Sequence, residues 1–109
     1  MTFNSKNWHA WLNTMPPKPD DFHVVGDVEV ANPGVEAYLT MRSTQGTVPQ
    51  ALMLDLHLVQ RPGNWIQQTS CAQGRFSRVM APNSTPYTTV EIFYNSERIA
   101  FIDKIPTIS

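Results

Sequence analysis

Residues 51–60 read Ala-Leu-Met-Leu-Asp-Leu-His-Leu-Val-Gln. Leu52, Leu54, Leu56 and Leu58 hold the even positions; Met53, Asp55, His57 and Val59 hold the odd ones. A β-strand turns successive side chains to opposite faces, so this segment has one leucine face and one mixed polar face. On a helix the leucines would scatter round the cylinder and Asp55 would be buried among them. The segment therefore reads as a strand over 51–60, resting on a core in the middle of a sheet.

Working outward, residues 22–31 alternate in the same way. Phe22, Val24, Gly26, Val28 and Val30 share one face; His23, Val25, Asp27, Glu29 and Ala31 share the other. Gly26 inside such a run marks a bulge or a close approach. Asn32-Pro33-Gly34-Val35 reads as a type II turn, with Gly34 supplying a positive φ, and leads to a strand over 36–42. Residues 43–50 are polar and read as a loop. A second Pro-Gly turn, Arg61-Pro62-Gly63-Asn64, follows the leucine strand. Type II turns fit the tightest hairpins poorly, so these places call for longer hairpin loops or for crossings between two sheets.

Weaker strands follow over 65–72 and 75–81, with a bend or bulge at Gln73-Gly74. A loop is expected over 82–86, a β-rich strand over 87–94, a tight hairpin at Asn95-Ser96, and a last strand over 98–108 that is disturbed at Pro106. That makes about seven strands at the spacing of sandwich and barrel folds. Short turns between consecutive strands imply antiparallel pairing. The fold expected is an all-β, immunoglobulin-like antiparallel β-sandwich, with a partly open barrel as the alternative. It lacks the Cys…Trp…Cys pattern of a true immunoglobulin domain.

The N-terminus reads differently. Trp8, Trp11, Leu12 and Met15 fall at i, i+3, i+4 and i+7, with Ser5 placed to cap and Pro16-Pro17 to stop. This predicts a short α-helix over 5–15, a proline-rich linker over 16–21, and a sandwich over 22–109, all within one domain. The helix would dock on the domain's own sheet or on a second subunit.

The length suits one core. Hydrophobic residues are 41% and charged residues 16%, with a net charge of -1 and no basic block. That argues against a dedicated nucleic-acid binder. Cys71 is the one cysteine, so no internal disulfide forms, and a reducing compartment, the cytoplasm, is expected. No apolar run approaches the roughly 20 residues of a membrane span.

Three residue sets invite chemistry. His23, Asp27 and Glu29 on one strand and Asp55 and His57 on another would supply imidazole and carboxylate ligands to a divalent ion if the strands were neighbours. A solvated sheet face explains the same residues. Cys71, His57 and Asp55 form a nominal nucleophile, base and orienter, but Asp55 and His57 lie two apart on one strand, and a free cysteine is more simply a semi-buried strand residue. Arg61, Arg75 and Arg78 beside Trp65 and Phe76 suit an anionic ligand or an acidic surface; solvated strand arginines explain them as well. No glycine-rich phosphate loop and no G-x-S-x-G elbow is present, so no catalytic residue and no cofactor is assigned. The function expected is a non-enzymatic protein-interaction or assembly module. Its partner would be a protein, itself or another, and not a nucleic acid or a membrane. Trp8, Trp11 and Trp65 are its candidate anchors, and a homodimer through an edge strand or the helix its expected form. The alternative is a small metal- or ligand-binding protein using the His23/Asp27/Glu29 and Asp55/His57 faces.

Overall fold

The computed structural model describes residues 4–43, 45–82 and 86–108. Its elements are β1 (Ser5–Asn13), β2 (Asp21–Val30), β3 (Val35–Met41), β4 (Ala51–Gln60), β5 (Ser70–Val79), β6 (Thr89–Tyr94), β7 (Glu97–Ile102) and the two-residue β8 (Thr107–Ile108). They form two sheets of four strands, ordered β5-β2-β1-β8 (sheet A) and β3-β4-β6-β7 (sheet B). Among the described residues there is no helix.

The leucine strand lies where its pattern puts it. β4 is an inner strand of sheet B, and Leu52, Leu54 and Leu56 are buried. They meet Val90 and Ile92 of the same sheet and Phe22, Val24 and Val28 of β2, so the two sheets enclose one core. Burying a leucine of this kind contributes about 1.5–3 kcal/mol. β5 packs against β3 along one side and β1 against β7 along the other.

The helix expected over 5–15 does not form. These residues are β1, paired antiparallel with β2 from Ser5↔Val28 to Asn13↔Asp21. The stripe of large apolar residues misled because it passed over Ala10, which is only 1% exposed. Trp8, Ala10 and Leu12 face the core at period two, while Met15 is exposed beyond the strand. An eleven-residue helix is marginal alone; in the sheet the same residues gain a full ladder with β2. The segment 16–21 is accordingly no linker between units. It is the loop of the β1–β2 hairpin, its last residue already in β2, and the sandwich begins at Ser5.

A register shift between Lys6 and His9 marks a bulge, with Asn7 at φ 58°. There the Trp8 indole lies flat on Gly26, where a side-chain carbon would fall inside the ring. The glycine in the β2 pattern thus marks a close approach, an aromatic covering a bare backbone.

Antiparallel pairing holds for β1·β2, β2·β5, β3·β4 and β6·β7, but β4·β6 and β1·β8 are parallel. The chain leaves β4 for β5 in sheet A before returning to β6, and this excursion reverses it once more. Two separate sheets replace the partly open barrel. Both Pro-Gly turns are crossings between the sheets. Gly34 does not take the expected positive φ, which among the described glycines belongs to Gly63 at 125°. Its N–H donates instead to Asn32 Oδ1 at 2.9 Å, and Trp65 covers it. Asn95 and Ser96 both have positive φ, 51° and 64°, as the tight β6–β7 hairpin requires. β5 starts later than expected, at Ser70, and runs through Gly74 without a bend because Leu39 and Leu56 pack over that glycine. Residue 44 of the expected loop 43–50 and residues 83–85 of the expected loop 82–86 lie outside the described residues. No helix among the described residues is long and apolar enough to cross a membrane.

Candidate interaction surface

Strand parity decides which side chains can meet. On β2 the core face holds Phe22, Val24, Gly26 and Val28, so His23, Asp27 and Glu29 project from the outer face of sheet A. On β4 the core face holds the leucines, so Asp55 and His57 project from the outer face of sheet B. The two halves of the supposed metal site point away from each other on opposite sides of the sandwich. Among the described residues no group of three or more His, Cys, Asp or Glu side chains is placed to hold a metal ion. Cys71 is exposed on β5, opposite Glu29 in sheet A, and is likewise separated from His57 and Asp55 by the core.

Each polar residue has local partners instead. His23 bonds to Asp21 through Nε2 and to Ser77 Oγ at 3.0 Å through Nδ1. Asp27 accepts from Asn7 at 2.9 Å, and His57 bonds Thr40 at 2.8 Å.

The three tryptophans separate in the same way. Trp8 is half-buried on Gly26, its indole N–H donating to Ser5 Oγ at 2.8 Å. Trp11 stands on the outer face of sheet A between His9 and His23, with ring centroids 5.4 Å and 5.1 Å away. Trp65 lies at the β2–β3 turn, its indole N–H donating to the Arg61 carbonyl at 2.9 Å. Trp8 serves the fold, Trp11 is sandwiched on both faces, and Trp65 leads to the surface described next. Arg75 and Arg78 lie on β5 of sheet A, whereas Arg61 follows β4 of sheet B.

Sheet B carries a repeated motif that the sequence did not disclose. Arg42 Nε pairs with Asp55 at 3.6 Å while its guanidinium lies 4.4 Å from the centre of the Phe93 ring. Arg98 pairs with Glu91 at 3.1 Å and lies 5.2 Å from the centre of Phe101. Arg61 pairs with Glu36 at 3.8 Å and lies 5.1 Å from the centre of Trp65. Each arginine thus joins a carboxylate of the outer face to an aromatic ring. The ladder explains two of these joins. Asp55 faces Phe93 across β4·β6, Phe93 faces Arg98 across β6·β7, and Glu91 faces Phe101. The partners are scattered over five segments of the chain, so no local spacing could announce them.

Tyr38 belongs to the same surface. Its hydroxyl donates to Glu36 Oε2 at 2.5 Å. That bond, followed by partial desolvation and the charge of Glu36, raises the phenol above its ordinary pKa against the opposing pull of Arg61. Tyr38, Val59 and Phe101 are each about half exposed (48%, 47% and 50%). Exposed ion pairs contribute about 0–1 kcal/mol and exposed cation–π contacts about 0.5–1 kcal/mol. The stability returned is small for so many ordered side chains. The network places the Phe93, Phe101 and Trp65 rings against arginines along sheet B.

No family model, no curated protein and no solved structure matches the chain.

Proposed function

We propose that the protein is a non-enzymatic interaction and assembly module whose binding surface is the outer face of sheet B, and that its first partner is a second copy of itself. The observation that carries this reading is the set of three arginines, Arg42, Arg61 and Arg98, each held between a carboxylate and an aromatic ring. Arginine and aromatic side chains are the residues enriched at protein interfaces and at their energetic centres. Rings already placed against arginines lose less freedom on binding, which removes part of the cost of association. The three arginines are each paired with a carboxylate on this face, so the paired charges balance and present no single-sign field to a second copy.

The alternative use of the strand faces as a metal or ligand site draws no support from a geometry that sends those faces apart. The cytoplasm fits a chain whose single thiol, Cys71, is exposed. The immunoglobulin-like description stands as a proposal of kinship in architecture. The order β5-β2-β1 follows the E-B-A run of that fold, whereas β4 takes the place beside β6 that the third strand holds there.

The test is a concentration series followed by NMR. Raising the protein concentration should move resonances of Tyr38, Phe93, Phe101 and the Arg42 and Arg98 guanidinium groups, leaving those of Trp11 and His23 in place. Shifts confined to sheet A, or none, would overturn the assignment of the surface.

A further inference from the structure

The outer edge of β5 suits a different partner. In sheet A, β5 pairs only with β2, so along Ser70–Val79 one backbone edge has no partner strand among the described residues. Open edges of this length recruit other chains by strand addition. β5 carries Arg75 and Arg78 and no carboxylate. Directly across the ladder Arg75 faces Val25 and Arg78 faces Phe22, neither of which is charged. Arg42, Arg61 and Arg98 all have carboxylates within 4 Å; among the described residues Arg75 and Arg78 have none. Arg75 bonds Gln73 at 2.7 Å, and Arg78 bonds the Tyr87 hydroxyl.

We infer that the β5 edge binds an extended acidic segment of a partner protein, added antiparallel as a fifth strand of sheet A, with carboxylates three residues apart facing Arg78 and Arg75. The two arginines lie on opposite faces of β5, and residues opposite one another across a ladder share a face. A carboxylate opposite Arg78 and another three positions later opposite Arg75 therefore each meet a guanidinium. The position between them that faces Phe76, half-buried on the core side, and the one facing Val79, 64% exposed, take apolar side chains. A second copy of β5 is the wrong occupant. It would bring four arginines and no carboxylate to one seam.

The experiment is a titration of the full chain with an acetylated peptide, Val-Glu-Thr-Val-Glu-Thr-Thr-Thr-Thr-Thr, followed by amide shifts. Binding should perturb Ser70–Val79 and weaken with added salt. Glutamine in place of both glutamates should weaken it about fivefold or more. The double variant Arg75→Glu, Arg78→Glu should lose at least as much. A peptide N-methylated at alternate residues keeps the charges but cannot pair, and should not bind. Failure of the glutamate peptide to bind at millimolar concentration would overturn the inference. So would equal affinity for the glutamine or N-methylated peptide, or shifts on sheet B in place of β5. The glutamine comparison needs no altered protein, and none of these outcomes bears on self-association through sheet B.

Discussion

Gly26 is the residue whose substitution says most about the core. It is buried on β2 and lies under the Trp8 ring, so a methyl group there must displace the indole. Gly26→Ala should destabilise the fold by about 1–3 kcal/mol, the usual range for overpacking, as measured by urea unfolding. An unchanged midpoint would mean that Trp8 does not rest there. At the surface, Tyr38 offers a second single-residue test. Its phenol is raised chiefly by the hydrogen bond to Glu36. Glu36→Gln removes the carboxylate and its charge while leaving Arg61 to favour the phenolate, so Tyr38 should ionise at lower pH than in the unaltered protein. Phenolate absorbance or Tyr38 ring resonances followed through an alkaline titration would show the shift. Movement in the opposite direction would contradict the bond.

At the level of elements, what was legible is what obeys a period of two over a long run. β2 and β4 could be read to within a residue or so because every core position is filled by a large aliphatic or aromatic side chain or by an informative glycine. β1 could not, because one core position is Ala10 and because the bulge at Asn7 shifts its register. Trp11, counted into a helical stripe, is held outside the core by two histidine rings. From the sequence β5 reads as two strands because Gly74 looks like a break, whereas in the fold Leu39 and Leu56 fill the space beside it. The strand assignment of β1 makes a firm prediction. A chain beginning at Asp20 loses an inner strand of sheet A and with it Trp8, Ala10 and Leu12 from the core. It should therefore show no cooperative unfolding transition by circular dichroism. A truncated chain that melts cooperatively would return β1 to the status of an appendage.

For the whole molecule, strand order decides the chemistry, and order leaves almost no mark in a single sequence. The faces bearing His23 and His57 read as polar from the alternation alone, yet nothing local says that β2 and β4 lie in different sheets with their polar sides turned away. The arginine, carboxylate and ring triplets are likewise products of pairing across β3, β4, β6 and β7. Trp65 and Arg61 were visible as neighbours; Arg42, Phe93, Arg98 and Phe101 were not. The resulting molecule has two contrasting sides. Sheet A ends in an arginine-bearing edge with no paired strand among the described residues, and sheet B presents a face of rings and paired charges.

Light scattering after size exclusion, run on the full chain over a range of concentrations, tests the central claim most directly. The account predicts a mass rising with concentration toward twice the 12.3 kDa of one chain, and a return to the single-chain mass in the variant Phe101→Ser, whose side chain is half exposed and outside the core. A single-chain mass at every concentration, or a dimer that Phe101→Ser leaves intact, would contradict it.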